Sequence, residues 1–336
     1  MSRALDLTII TTETQTAFTK IYQDIANILC PQPPVLIEIE ILGKSHVLPD
    51  NANVLVDGDS VAISKYKLVQ AFIYARKLFL NELKPCPAGR EDELLHCTAV
   101  MLLLDAEHLT AANARKRLIL SCRSDGVKVA MKRELLFVNS FLTSRLHRHT
   151  KSPTLWSHRR WLLEQTQKAG GVCSLEDGLR VVLIAAERHP RNYYAWLHLR
   201  WLVTNASREE VQRCKLLDTV RDWAIRHPAD TSGFSFLIFL IEYNDENWKD
   251  TKLRSDVLTD VLTRTSSFNW TYESIWVFLR TLAASKEDRD QKQLFVDLAI
   301  RLLDERKDNV KDARVLKQAI TWVHDHSQHP TATTWR

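Results

Sequence analysis

Three stretches of the sequence decide the fold, and each is built around a tryptophan that is followed four residues later by an arginine. Residues 152–161 read SPTLWSHRRW, residues 192–201 read NYYAWLHLRW, and residues 272–281 read YESIWVFLRT. Positions i and i+4 of a helix lie one turn apart on the same face. The pattern therefore predicts three equivalent helices that present the same side chains to their neighbours. The motif residues are Trp156, Arg160, Trp161, Trp196, Arg200, Trp201, Trp276 and Arg280.

Two weaker copies extend the motif into a repeat. Phe234 occupies the tryptophan position within residues 230–239, and Ala112 occupies it within residues 108–117. The five anchor positions are then 112, 156, 196, 234 and 276, which lie 44, 40, 38 and 42 residues apart. A period of about 40 residues is typical of solenoids built from helical hairpins.

The residues before each anchor predict the turn of the hairpin. Residues 188–192 read RHPRN and residues 226–230 read RHPAD, so a proline ends one helix and Asn192 or Asp230 can cap the next. Ser152 stands at the same position before Pro153. The first helices of the hairpins are predicted at residues 133–146, 175–188, 209–225, 253–264 and 293–306, and a capping helix is predicted at 310–324.

The N-terminal part differs from the repeats. Residues 10–30 carry a helical apolar stripe that ends before Pro31, and residues 36–42 read LIEIEIL with strand-like alternation. Residues 31–62 are expected to form a short β-like hairpin or an ordered loop. The predicted division is an N-terminal segment, 1–64, and a helical array, 65–336. Loops are predicted at residues 85–90, 121–126, 168–174 and 244–248.

Composition excludes several classes of protein. The chain of 336 residues has 10 tryptophans but only 8 glycines, where average usage would give about 24 glycines. A β-sandwich, a β-barrel or a glycine-rich nucleotide loop is therefore not expected. No apolar run approaches the ~20 residues of a membrane span, and no polybasic or RNP-like segment indicates nucleic-acid binding. The six separated cysteines predict reduced thiols and a cytoplasmic location, without a metal site.

The repeat phrases resemble those of protein prenyltransferase α subunits, whose pattern is roughly N-Y-x-A-W-x-H-R-x-W. The resemblance covers about residues 90–285 in five copies. Within that family, the phrases KSPTLWSHRRW (151–161) and HPADTSGF (227–234), with the strand-like N-terminal segment, are most similar to the α subunit of the type III geranylgeranyltransferase. The resemblance implies an all-α fold in which helical hairpins form a right-handed superhelical crescent, an α-α solenoid, around a separate β subunit.

The resemblance also implies an activity. The heterodimer would transfer geranylgeranyl from its diphosphate to a C-terminal cysteine of a SNARE or a small GTPase. The partner would be the β subunit of the Rab geranylgeranyltransferase, and Zn²⁺ and geranylgeranyl diphosphate would be bound there, with no cofactor held by this chain. A non-catalytic adaptor in membrane trafficking is the alternative, whereas no nucleophile or phosphate motif supports a stand-alone enzyme.

Aligned to the family pattern, four residues are candidates for the site of the leaving diphosphate. The family's lysine falls on Lys151, and its Asn-Tyr-His triplet falls on Asn192, Tyr193 and Tyr194. A cation and a phenol suit a developing diphosphate charge. Each candidate has a structural alternative: a solvated lysine, an N-cap asparagine and interface-packing tyrosines. The tryptophan–arginine motif likewise serves either packing between repeats or a partner surface, and the apolar residues 235–241 are either core or subunit interface.

Overall fold

The computed structural model describes residues 12–43, 46, 48, 52–84, 86–122, 124–248, 252–284 and 289–328. Within these ranges the protein has sixteen helices and one three-stranded sheet near the N-terminus. The predicted class, an all-α helical-repeat protein, is confirmed. The right-handed crescent and the division at residue 64 stay predictions.

The helices follow one another in hairpins along the chain. Their bounds are α1 Thr12–Leu29, α2 Lys65–Glu82, α3 Glu91–Leu104, α4 Leu109–Ser121, α5 Ser124–Leu142, α6 His147–Thr150, α7 Pro153–Lys168, α8 Leu175–Arg188, α9 Tyr193–Thr204, α10 Arg208–Arg213, α11 Leu216–Arg226, α12 Thr231–Trp248, α13 Lys252–Phe268, α14 Glu273–Ala283, α15 Arg289–Glu305 and α16 Val310–Gln328. The chain divides between His198 and Leu199 into two compact units. We call them the N-terminal and the C-terminal unit.

Two predicted loops are wrong. Helix α5 already begins at Ser124, so residues 124–126 are helical despite Gly126. Helix α12 continues through residues 244–248. The side-chain amide of Asn244 donates to the carbonyl of Leu240, one turn before it in the same helix, at 2.6 Å. The other two loops agree with the structure at residues 86–90 and 169–174.

One predicted helix is broken. Residues 209–225 form two helices, α10 and α11, because Lys215 takes the left-handed conformation with φ of 46°. The backbone amide of Lys215 still bonds the carbonyl of Gln212 at 3.0 Å. Periodicity alone cannot reveal this break, since the apolar stripe continues on both sides of it.

The β-like segment forms a sheet of three strands, β1 Glu38–Leu42, β2 Val54–Asp57 and β3 Ser60–Ser64. The order is β1-β3-β2, with β1 parallel to β3 and β2 antiparallel to it. The predicted hairpin is therefore β2–β3, which turns through Gly58 with φ of 56°. Alternate residues of the sheet, Ile39 and Ile63 among them, are buried, as the alternation predicts.

A buried ion pair joins three helices of the N-terminal unit. Arg115 on α4 makes two hydrogen bonds of 2.7 Å to the Glu134 carboxylate on α5, and His158 on α7 lies 3.2 Å from the same carboxylate. Burial alone would raise the pKa of Glu134, but the charge of Arg115 and the hydrogen bonds from His158 and Arg115 lower it to about 2. The carboxylate is therefore ionised in the core and fixes the packing of α4, α5 and α7.

Replacing Glu134 with glutamine should lower the free energy of unfolding by about 3–5 kcal/mol at pH 7, because the Arg115 guanidinium would stay buried without its carboxylate. The pKa of Glu134 in the folded state lies below its ordinary value of 4.5, so its contribution is present above that pH and is lost as pH falls toward 2. Denaturant unfolding at several pH values should show the difference between the variant and the wild type shrinking in acid.

The exposed pair of Arg160 and Glu164 provides the control. Glu164→Gln should change the free energy of unfolding by less than about 0.5 kcal/mol at either pH. An effect of Glu134→Gln that is the same at every pH would contradict an ionised buried carboxylate.

Candidate functional site

In four of the five hairpins the second helix begins with a capping side chain four residues before its anchor, whereas Tyr272 makes no such bond at the start of α14. Ser152, Asn192 and Asp230 accept hydrogen bonds of 3.1, 3.3 and 2.9 Å from backbone amides of the first turn. His108 does the same for α4 at 3.2 Å. The capping role that the sequence offered as an alternative for Asn192 is therefore present in the structure.

Two of these capping side chains also form a hydrogen bond to the preceding hairpin. The Ser152 hydroxyl donates to the carbonyl of Ala106 at 3.1 Å, and the Asn192 amide donates to the carbonyl of Thr150 at 3.0 Å. The indole of Trp156 donates to that Thr150 carbonyl too, at 2.8 Å. One carbonyl thus receives the anchor of its own hairpin and the cap of the next one. Successive turns of the N-terminal unit are held together through such bonds.

The anchor tryptophans belong to the core. Trp156 and Trp196 are 3% exposed and Trp276 is 1% exposed, which supports the packing interpretation of the motif. Trp276 donates to the carbonyl of Trp270 at 2.9 Å, six residues before it, as Trp156 does to Thr150. The anchors therefore hold the repeat together and are not available to a ligand.

After three of the five anchors, the cation four residues on stacks on an aromatic ring of the following hairpin. Lys116 lies 5.5 Å from the ring of Trp161, Arg200 lies 4.3 Å from Phe239, and Arg280 lies 5.1 Å from Trp322. For Lys116 and Arg200, the receiving ring, Trp161 or Phe239, stands five residues after the anchor of the next hairpin. Arg160 also donates to Glu164 at 2.9 Å, and Trp201 lies half-buried near the end of α9.

The degenerate fourth copy is also core. Phe234 is 2% exposed and packs against Phe278, with the ring centroids 5.2 Å apart. Phe236, Leu237 and Ile241 are buried as well. Of the two alternatives for residues 235–241, burial within the array is the one the structure favours.

The candidate leaving-group residues lie on two successive turns of the N-terminal unit. Lys151 follows α6, and its ammonium donates to the carbonyl of Pro190 at 2.8 Å, so it bridges to the turn that leads into α9. Tyr193 and Tyr194 begin α9, are 61% and 37% exposed, and hold their rings 5.5 Å apart. Asn192 is fully buried and uses both its amide atoms within the protein, so we leave it out of the candidate ligand site.

These two turns are strongly basic, which the alignment to the family pattern did not single out. The phrases RLHRH and RHPR contained the signal. The group, which we call the basic edge, comprises Arg145, His147, Arg148, Lys151, Arg188, His189 and Arg191. The rings of His147 and His189 meet edge to face, with their centroids 5.3 Å apart. Burial and the neighbouring charges of His147 and Lys151 lower the pKa of His189, which favours its neutral form at pH 7.

A cavity elsewhere in the N-terminal unit is a weaker candidate. It has a volume of about 130 Å³ and lies between residues 29–37 and helices α3, α4 and α5. Its charged lining groups are already paired, Arg115 with Glu134 and Arg133 with Asp92 at 3.5 Å. Burial raises the pKa of the Cys30 thiol at its wall to about 11, which makes that thiol a poor nucleophile. The basic edge is therefore the better candidate site.

Neither a metal-binding cluster nor a membrane-spanning helix is found among the described residues. In the described ranges, no three histidine, cysteine, aspartate or glutamate side chains are grouped so that they could hold a metal ion. Nor does any helix in those ranges have the length and apolar character that crossing a membrane requires.

Comparison with known proteins finds relatives that share this repeat. The model of the protein prenyltransferase alpha subunit repeat matches residues 133–166, which hold Trp156, Arg160 and Trp161. The human protein prenyltransferase alpha subunit repeat-containing protein 1 is 31% identical over 170 residues, which are 45% of this chain and 40% of the relative. Residues 133–166 thus match a protein prenyltransferase alpha subunit repeat, and the chain is similar to proteins named for that repeat.

Further relatives in this repeat family agree. Protein prenyltransferase alpha subunit repeat-containing protein 1-B of Xenopus laevis is 28% identical over 186 residues, 50% of this chain and 39% of its own. The Danio rerio protein of the same family is 28% identical over 174 residues, 45% and 38% of the two chains. The match thus spans about two fifths of each relative's length. A second family model, the ECM9 middle domain, matches residues 155–265, from α7 into α13.

The stack of Arg280 on Trp322 should be measurable as a coupling energy. A double-mutant cycle of Arg280→Ala and Trp322→Ala should give about 0.5–2 kcal/mol in the free energy of unfolding, because burial lowers the pKa of Arg280 and removes competing water. The control cycle pairs Trp322→Ala with Arg264→Ala, whose guanidinium bonds Asp260 instead. Full additivity of the first cycle would show that the arginine and the tryptophan do not interact.

Proposed function

We propose that the chain is the α subunit of a heterodimeric protein geranylgeranyltransferase. The observation that carries the proposal is the position of Lys151 and the exposed phenols of Tyr193 and Tyr194 on two adjacent turns of the basic edge. The similarity to prenyltransferase alpha subunit repeats supports a β-subunit partner in general terms. Neither feature is expected of a helical repeat that only packs against itself.

The chemistry assigned to this chain is stabilisation of the leaving diphosphate. As the bond between the isoprenoid carbon and the diphosphate oxygen breaks, negative charge grows on the leaving oxygens. Lys151 would contribute a fixed positive charge there, and the hydroxyl groups of Tyr193 and Tyr194 would donate hydrogen bonds. The bond from Lys151 to the Pro190 carbonyl holds the ammonium in place, so little reorganisation is needed during reaction.

The remaining parts would come from the partner. The β subunit, proposed to be that of the Rab geranylgeranyltransferase, would bind geranylgeranyl diphosphate, and its Zn²⁺ would supply the acceptor cysteine as a thiolate. The acceptor would be a SNARE or a small GTPase with a C-terminal cysteine, met in the cytoplasm. The core position of the anchor tryptophans is compatible with this role, since the turns between the helices, and not the tryptophans, are then exposed to a partner.

Co-expression with candidate β subunits tests the assembly. The proposal expects a stable 1:1 heterodimer on size-exclusion chromatography that transfers labelled geranylgeranyl to a protein acceptor. A chain that copurifies with no prenyltransferase β subunit would overturn it. A heterodimer that forms and transfers nothing would favour the adaptor alternative.

Within an active heterodimer, Lys151→Ala should lower kcat by about tenfold to a hundredfold, because one charge that stabilises the leaving group is lost. Tyr193→Phe and Tyr194→Phe each remove one hydroxyl and should have smaller effects. Single-turnover transfer measures the chemical step directly. Lys168→Ala, at the exposed end of α7, is the matched control and should leave the rate unchanged. An unchanged rate for Lys151→Ala would reject its role.

A further inference from the structure

The N-terminal sheet reaches the basic edge through one carboxylate. Glu38 opens strand β1, and its Oε1 accepts a hydrogen bond of 3.0 Å from Arg145. The same oxygen lies 3.2 Å from Arg188. Arg188 in turn donates to the carbonyl of Thr143. One side chain of the sheet thus contacts the turn that carries Lys151 and the turn that leads to Tyr193.

The backbone holds Glu38 in this position from both sides. Its amide donates to the carbonyl of Asp59 at 2.8 Å, next to its parallel register with Ser60. The preceding amide, of Ile37, donates to the Ser140 hydroxyl on α5 at 3.0 Å. Ile39 is 1% exposed and anchors the strand in the core. The Glu38 carboxylate is therefore held beside Arg145 and Arg188 by a hydrogen-bonded strand.

The pairing also shapes the charge of the basic edge. The hydrogen bond from Arg145, with the charge of Arg188, lowers the pKa of Glu38, so it is ionised at neutral pH. It offsets the charges of Arg145 and Arg188. Among the described residues, no carboxylate lies within ion-pair distance of Arg148 or Lys151. The uncompensated positive charge is thereby concentrated beside Lys151.

We propose that Glu38 is a positioning residue, which clamps the two turns of the basic edge together and fixes the placement of Lys151 relative to Tyr193. This assigns a role to the LIEIEIL segment, which the repeat itself does not explain. The catalytic part of the proposal rests on the proposed function, whereas the clamp is a property of the chain alone. Glu38 touches no reacting atom and acts only through Arg145 and Arg188.

Strand β1 offers a matched control. Glu40 lies two residues after Glu38, on the same face of the strand, and it is exposed with no partner among the described side chains. Glu38→Gln and Glu40→Gln make the same change of charge and size in the same strand. Any effect of the first that the second lacks must come from the contacts with the arginines.

The first measurement is hydrogen exchange of the isolated chain, which does not depend on any activity. Glu38→Gln should speed exchange of the amides in residues 144–151 and 188–195 by about threefold to tenfold, as expected for the loss of a partly exposed ion-pair network. Glu40→Gln should leave both segments as in the wild type. Unchanged exchange in Glu38→Gln would overturn the clamp.

The second measurement is steady-state transfer by the heterodimer. Glu38→Gln should lower kcat by several-fold while KM for the acceptor stays unchanged, and Glu40→Gln should alter neither. Faster exchange with an unchanged kcat would leave a clamp without a role in positioning and overturn that part of the proposal. Faster exchange in a chain whose wild type has no transferase activity would refute the proposed function and retain the clamp.

Discussion

The Thr150 carbonyl is the point on which the arrangement of the N-terminal unit depends. It receives the indole of Trp156 from its own hairpin and the amide of Asn192 from the next. A carbonyl at the end of a short helix needs partners, and here two hairpins satisfy it together. Asn192 also caps α9, so one buried side chain starts a helix and joins it to its predecessor. Ser152 repeats the device one hairpin earlier.

Because this junction is buried, the exposed side of the turns is available for binding a ligand. With tryptophans and caps buried, the exposed side chains of the two successive turns are mainly basic or phenolic: Arg145, His147, Arg148, Arg191, Tyr193 and Tyr194. Lys151 directly follows Thr150, whose carbonyl receives both bonds, and Tyr193 directly follows the capping residue Asn192. The packing that builds the repeat therefore also fixes the backbone of the candidate site. Within this chain, the proposed transferase role therefore needs no element beyond the repeat, apart from the Glu38 clamp at its border.

Local sequence signals predicted the helices and caps of the hairpins well, but they did not predict which distant residues these helices contact. Ser152, Asn192 and Asp230 were identifiable as caps because a cap acts within one turn of its own helix. The receiving ring for Arg200, Phe239, lies in the next hairpin and leaves no trace in helical periodicity. The same holds for Glu38, which meets its arginines more than 100 residues later in the sequence. The break at Lys215 was missed because the apolar stripe runs through it.

The central claim is that the Asn192 amide joins two hairpins. Asn192→Asp tests it most directly, because the carboxylate of aspartate keeps the capping oxygen for α9 but has no N–H to donate to Thr150. Hydrogen exchange should then accelerate at the start of α7, in residues 153–157, and stay as in the wild type at the start of α9, in residues 193–196. Unchanged exchange in residues 153–157 would contradict the account.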